Sequence, residues 1–461
     1  MKKTKLAVGV IAILGLGYVG TAWYTGNVIE DGLDSTLKNL TQEVNSLQDN
    51  FEVQITHTND EKSLFSTKTH IKLAVTNIEN SKTVVLYDDD VIIHHGPFPI
   101  EALKNGVFTP QQAWVEFQNS EQFNPDLWKK AGNQPFMKGH ISLSYSDFID
   151  YNISTQPIVL DLKDIGVEDA DGKLDLGEIN WRASGNINFV APSISIEASK
   201  INYQHDADNQ LKITNLKVVN DADFQNKYTL NASVDDFYFN FESARDTPEI
   251  SLKNLAWNYV LEAKESGLNG DFAFKIGSFK YGKQDIGNGS FEFDFEGLDK
   301  SFLEIYPEAA PFLAKIKHSS PNTKMNFKKV NWHNAAGDFN FSAFFDVSDF
   351  TIMSSLRLAQ NIDQLNQFKV NLDAPYKVIA RIKTQFDNPE NENISEQQFE
   401  SDAKQMQFIV ERSFNRSPYP AILFKKGDVE GIFTEIEYTK QSGQFNLNGK
   451  KMSFQELQNH F

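Results

Sequence analysis

The stretch Glu168-Asp169-Ala170-Asp171-Gly172-Lys173-Leu174-Asp175-Leu176-Gly177-Glu178 crowds five carboxylates into eleven residues, the oxygen-rich composition that a calcium loop needs. With Gly172 at the glycine position of such a loop, Asp169, Asp171, Asp175 and Glu178 fall at ligand positions 3, 5, 9 and 12, but the first ligand position is Val167. No helical pattern flanks the stretch, so an acidic Asp-Gly hairpin turn is the simpler reading. A second candidate for chemistry is His94-His95, which follows Asp88-Asp89-Asp90. Imidazole suits acid–base or metal work near neutral pH. Adjacent strand residues point to opposite faces, however, so the two rings do not readily serve one metal. Asp88–Asp90 reads as a solvated turn between Val84–Tyr87 and Val91–His94. Spacings of the H-E-x-x-H, H-x-x-E-H, G-x-S-x-G and phosphate-loop types are missing, and there is no cysteine for a thiol nucleophile, a disulfide or a lipid anchor. The expectation is no catalytic residue, no cofactor and no resident metal; a hydrolase using scattered carboxylates is the last of the functional readings.

The elements that would position any site begin with an apolar run. Leu6 to Tyr24 are uncharged and follow Lys2, Lys3 and Lys5. A helix of that length spans about 28 Å, close to the ~30 Å hydrocarbon core. It is longer than the core of a cleaved signal, lacks a good cleavage site, and ends in Trp23-Tyr24, which suit the interface. An uncleaved anchor is expected, with the lysines in the cytoplasm and the rest of the chain outside it. Gly15-Leu16-Gly17-Tyr18-Val19-Gly20 matches G-x-G-x-x-G and resembles the start of UDP-sugar dehydrogenases, but no second strand with an acid follows, so small residues in a membrane helix explain it. Next, Leu33, Leu37, Leu40, Val44 and Leu47 recur at 4-3-4-3 spacing. This amphipathic helix either packs on the protein's own sheet or provides a self-association seam. The net charge of −18, in spite of the basic start, makes nucleic acid an improbable partner.

From Phe51 to about Gln385 the dominant period is two. Phe237-Tyr238-Phe239-Asn240-Phe241, Phe272-Ala273-Phe274, Phe291-Glu292-Phe293-Asp294-Phe295 and Phe339-Asn340-Phe341 place aromatics on one face and mostly polar groups on the other. A weak repeat lies within this region. Ile250-x-Leu252-x-x-Leu255-x-Trp257 shares its pattern with Met325-x-Phe327-x-x-Val330-x-Trp332, and each is followed by Gly-Asp-Phe-x-Phe, at Gly270–Phe274 and Gly337–Phe341; Gly443–Leu447 echoes the second half. Helices are few. Leu298–Ile316 is helix-like but broken by Pro307 and Pro311, and Ser395 with Gln398 forms a capping box that opens a helix running towards Pro418. The polar segment Asp387–Asn393 is the best linker. The fold class expected is α+β, predominantly antiparallel β, with a single N-terminal transmembrane helix and a body of long twisted sheets. Its divisions are an anchor over 1–25, a juxtamembrane helix over 26–50, a β-rich domain over 51–386, and a C-terminal helix plus strands over 387–461.

The N-terminal run from Gly20 to Leu40, the central His94-His95-Gly96-Pro97-Phe98-Pro99 and the closing Ile436–Met452 segment resemble the YdgA-like family of Gram-negative envelope proteins, which has no assigned biochemical activity. The resemblance spans the whole chain and supplies no catalytic residues. It implies an inner-membrane anchor with a periplasmic body, and self-association. The function expected is a non-enzymatic binding or scaffold protein of the cell envelope. The more specific alternative is lipid binding or transfer: the repeated hairpins weakly resemble those of AsmA-like lipid-transfer proteins, and Phe239, Phe274, Phe293 and Phe341 are the candidate lipid-facing residues. An ordinary closed core would use the same phenylalanines.

Overall fold

A computed structural model describes residues 51–62, 66–78, 81–95, 98–146, 148–161, 172–186, 193–205, 209–223, 227–241, 248–299, 320–350, 362–414 and 422–453, with a few isolated positions besides. Residues 6–24, where the anchor is expected, lie outside them, as do Leu33, Leu37, Leu40, Val44 and Leu47. Among the described residues no helix is long and apolar enough to cross a membrane. The body is strand-rich, antiparallel and poor in helix, as the period-two pattern requires. It divides into two compact units, residues 1–222 and 223–461. The Asp387–Asn393 segment, read from the sequence as a linker, lies within the second of these units. It is tied to its own unit through its backbone carbonyls: Lys283 N–H donates to that of Pro389 (2.8 Å) and the Gln284 side-chain Nε2 to that of Asn391 (2.7 Å).

In the first unit the strands are β1 (Phe51–Lys62), β2 (Ser66–Asn77), β3 (Lys82–His95), β4 (Gln111–Gln118), β5 (Met137–Ser144), β6 (Phe148–Thr155), β7 (Ile158–Asp161), β8 (Lys173–Leu176), β9 (Ile179–Asn186), β10 (Ser193–Gln204) and β11 (Asn209–Asp223). Sequential antiparallel pairing runs from β1 to β6, then to β9, β10 and β11; the β7–β8 hairpin joins β10 beside β9. Two short helices, α1 (Ile100–Lys104) and α2 (Pro125–Lys130), follow β3 and β4. Odd-numbered positions supply one apolar face: Val53 and Ile55, Ile71 and Leu73, Val91 and Ile93, Val115 and Phe117 pack together with Ile149, Ile153 and Trp181 into a dry core. Alternation puts the polar set, including His70, Asp88, Asp90, Glu116 and His140, on the opposite face.

The second unit is a meander of long strands: β12 (Lys227–Phe241), β13 (Ile250–Lys264), β14 (Gly267–Tyr281), β15 (Gln284–Leu298), β16 (Ser320–Asn334), β17 (Gly337–Phe350) and β18 (Leu365–Pro375). Fifteen residues extend for about 50 Å, far beyond a usual strand. Helices α3 (Tyr376–Asp387) and α4 (Glu396–Phe414) follow, and the Ser395 hydroxyl accepts from the Gln398 N–H (3.2 Å) at the expected cap. Then β19 (Leu423–Lys426), β20 (Val429–Thr439), β21 (Gln444–Leu447) and β22 (Lys450–Ser453) close the sheet, β20 pairing with β18 on one edge and with β19 and β21 on the other. The α3 helix crosses the strand ends at the β14–β15 and β16–β17 turns, where Phe386 lies against Phe279 and Tyr281, and Gln385 donates to the Asp285 carbonyl.

Candidate functional site

Register brings the aromatics of the second unit into one ladder. Tyr259 stands opposite Phe272 and Trp257 opposite Phe274; Phe272 and Phe274 face Phe293 and Phe291; Phe293 faces Phe327; and Phe345 faces Phe368. Ring centroids along the ladder, directly opposite or diagonal, lie at 5.4 Å (Tyr259–Phe272), 6.2 Å (Phe272–Phe291), 4.7 Å (Phe293–Phe327), 6.0 Å (Phe327–Phe341), 6.4 Å (Phe327–Phe345) and 5.2 Å (Phe345–Phe368). The geometry is tilted or edge-to-face, the arrangement ring quadrupoles prefer. At about 4.8 Å per strand, β13 to β18 carry the ladder across roughly 24 Å. The rings are half-buried, and Trp257 is 44 % exposed, in contrast to the closed core of the first unit, where Ile149 is at 0 %.

Local sequence explains how one face stays aromatic over such long strands. In β16 the two-residue spacer of the repeat, Lys328-Lys329, coincides with a register shift between Phe327 and Val330. The extra residue restores Val330 and Trp332 to the face of Phe327. The matching spacer in β13 contains Asn254, whose φ of 51° breaks the regular pleat between Leu252 and Leu255. Two glycines lie beneath rings. A Cβ on Gly270 would stand 2.3 Å from the Phe295 ring, and one on Gly289 would stand 2.5 Å from that of Trp332. The opposite face is charged: Lys328 pairs with Asp271 (3.1 Å) and Asp294 (3.0 Å), and Lys369 with Glu437 (2.6 Å).

Of the four phenylalanines singled out from the sequence, Phe274, Phe293 and Phe341 belong to the ladder. Phe239 lies farther along β12, opposite Ile250, with its ring 4.8 Å from Phe241. Sequence reasoning passed over Phe327, the hub that touches Phe291, Phe293, Phe341 and Phe345. Its signal was the repeat, where it stands in the place of Leu252.

The candidates for acid–base or metal chemistry are placed differently. Asp88–Asp90 do not form a turn: β3 runs unbroken through them, because β2 supplies cross-strand partners. His70 holds Asp90 through Nδ1 and Asp88 through Nε2, both at 2.9 Å, while Lys68 reaches Asp90 (2.7 Å) and Lys72 reaches Asp88 (3.2 Å). Hydrogen bonds to Asp90 and then Asp88 raise the pKa of His70. Those from Lys68 and then His70 lower that of Asp90. For Asp88, burial pushes upward, but the bonds from His70 and Lys72 outweigh it and the net shift is downward. Asp89 points to the other face, is buried, and accepts from the Ser120 N–H (2.8 Å). His94 is half-buried with Nε2 3.7 Å from Glu116.

In the acidic stretch, Asp169 and Asp171 lie outside the described residues. Asp175 gives both carboxylate oxygens to Lys200 at 2.7 Å, and Glu178 accepts from Asn180. Among the described residues, no three His, Asp or Glu side chains converge as metal ligands.

A family model described as "Bacterial protein of unknown function (DUF945)" matches residues 1–311. The chain belongs to this family. Protein YdgA of Escherichia coli (strain K12) is 24 % identical over 99 % of this chain and 96 % of its own length. Uncharacterized protein YihF of the same organism is 21 % identical, covering 98 % of both chains. No solved structure matches. The resemblance drawn from the two ends of the sequence and His94–Pro99 thus extends to full-length relatives.

Proposed function

We propose that this DUF945 protein is a non-enzymatic binding protein of the cell envelope, tethered to the inner membrane by residues 6–24, and that the aromatic face of its second unit holds lipid tails. The single observation that carries the reading is the half-buried state of a continuous aromatic ladder on a sheet whose other face carries ion pairs. A contiguous apolar surface of this extent is a binding surface rather than a solvated one. A lipid tail spans about 15 Å, half of the ~30 Å hydrocarbon core, and fits within the ladder's breadth. Each CH2 moved from water onto such a face contributes about 0.8 kcal/mol, so a tail needs no directional contacts to bind. Residues 6–24 suit the anchoring role through their length, their lack of charge and the preceding lysines.

The test is photocrosslinking of the full-length chain in cells, with p-benzoylphenylalanine in place of Phe293 or Phe327 and, as a control, of Glu292 on the charged face. Phospholipid attached at the two ladder positions and not at Glu292 is the expected result. Crosslinks confined to the chain itself would make the ladder a closed core and overturn the proposal.

A further inference from the structure

A second candidate surface lies in the first unit, on the polar face of strands β2 to β6. A cavity of about 1060 Å³ opens there, walled by Ser120, Gln122 and Phe123 from the segment after β4 and by Asn105 from the turn after α1. It is at the upper limit of a small-molecule pocket, with room for a ligand of several rings. The floor is a grid fixed by register. Lys68, Ile92, Glu116, His140 and Asn152 stand opposite one another in successive strands, and Gln118, Lys138 and Ser154 form the adjoining row. Rungs repeat at about 4.8 Å across the strands, so the floor presents side chains at short, regular intervals.

Apart from Lys138, the charged side chains that line the cavity are already engaged. Lys68, His70, Asp88 and Asp90 close on one another, Asp89 is held by the Ser120 backbone, and Glu116 accepts from Trp114 Nε1 at 3.0 Å. His140 stacks on Trp114, with centroids 4.2 Å apart and planes 14° from parallel, and its burial lowers its pKa, which favours the neutral ring. What remains is of another kind. Among the described residues, the side chains of Gln118, Lys138, Asn152 and Ser154 make no hydrogen bond or ion pair. Two amides, a hydroxyl and an ammonium therefore face the cavity uncommitted, offering both donors and acceptors. Phe123 and the 38 % exposed Ile92 add apolar contact surface.

This composition discriminates between ligand classes. An anion would meet Asp88, Asp90 and Glu116, a bare cation would meet Lys68 and Lys138, and an extended peptide would find no free strand edge, since the floor strands are paired on both sides. A neutral ligand dense in hydroxyl and amide groups, with apolar C–H faces between them, matches the floor. We infer that this cavity is a binding site for a neutral oligosaccharide, read by Gln118, Lys138, Asn152 and Ser154. The site does not depend on the aromatic face of the second unit.

The experiment is saturation-transfer NMR and titration calorimetry on the full-length chain in a detergent without a sugar headgroup. The probes are tetra-N-acetylchitotetraose, maltotetraose and cellotetraose, with a tetragalacturonate as the acidic comparison. Binding of at least one neutral probe, weakened tenfold or more in Gln118→Ala/Asn152→Ala and unchanged in Glu292→Ala, is expected. The exposed single variant Gln118→Ala, with an unchanged melting temperature, provides the same reading if the double variant folds poorly. Binding of no neutral probe, preference for the acidic one, or affinity indifferent to Gln118 and Asn152 would overturn the assignment.

Discussion

Phe293→Asp separates an uncovered aromatic face from a closed core. The Phe293 ring contacts Phe327 at 4.7 Å, Phe295 at 6.0 Å and Phe291 at 6.4 Å, and the residue is half-buried. Truncating a Phe in a closed core costs about 3–5 kcal/mol. Half-burial reduces that to roughly 2 kcal/mol, and the loss of one close ring pair adds about 1 kcal/mol. A carboxylate placed on an open face stays hydrated, so the expected destabilisation is about 2–3 kcal/mol. Inside a closed core the unpaired charge would add several kcal/mol more, enough to unfold a domain whose total stability is about 5–15 kcal/mol. Ile149→Asp, at a position with no exposure in the first unit, is the internal standard for that outcome. Urea titration followed by far-UV circular dichroism and by Trp257 emission measures the cost, and lipid crosslinking at Phe327 is read in the same variant. A folded Phe293→Asp protein that has lost its lipid adduct is expected. Unfolding as complete as that of Ile149→Asp, or full retention of the adduct, would refute the reasoning.

Other outcomes follow from particular contacts. Gly289→Ala sets a Cβ 2.5 Å from the Trp332 ring and 2.6 Å from the Asn331 carbonyl, so urea unfolding should show a loss of about 2 kcal/mol, with a changed Trp332 emission. His70, with its pKa raised by two carboxylates, contributes stability that is complete below about pH 6.5 and is lost as pH rises through its folded pKa. Asp88 and Asp90, with lowered pKa values, contribute stability that is lost as pH falls through theirs. These are surface pairs, so each contribution is at most about 1 kcal/mol. An NMR titration should place the His70 midpoint above 6.5, and a midpoint at or below 6.5 would contradict the paired geometry. Calcium at millimolar concentration should leave the melting temperature unmoved, since Asp175 is held by Lys200; a rise would restore the acidic stretch as a site.

The sequence by itself determined the class of fold. Period-two alternation on strands of up to fifteen residues forces antiparallel sheet with one aromatic face, and the Ser395–Gln398 pair opens α4, because both signals are local and act through the nearest turn or pleat. It also singled out Phe239, Phe274, Phe293 and Phe341 as candidates for one apolar face, of which the last three belong to the ladder. The tertiary structure decided what local pattern could not reach. Asp88–Asp90 read as a turn because three consecutive acids repel and prefer solvent, yet they run through a strand once His70, Lys68 and Lys72 arrive from β2. Phe327 became the hub of the ladder only through a bulge that rotates its neighbours onto one face. The grid of Gln118, Lys138, Asn152 and Ser154 is written nowhere in the chain as a motif, for its members are separated by up to thirty-six positions and meet only through strand register. Periodicity fixes which face a side chain takes, whereas register, a long-range quantity, fixes which side chains meet.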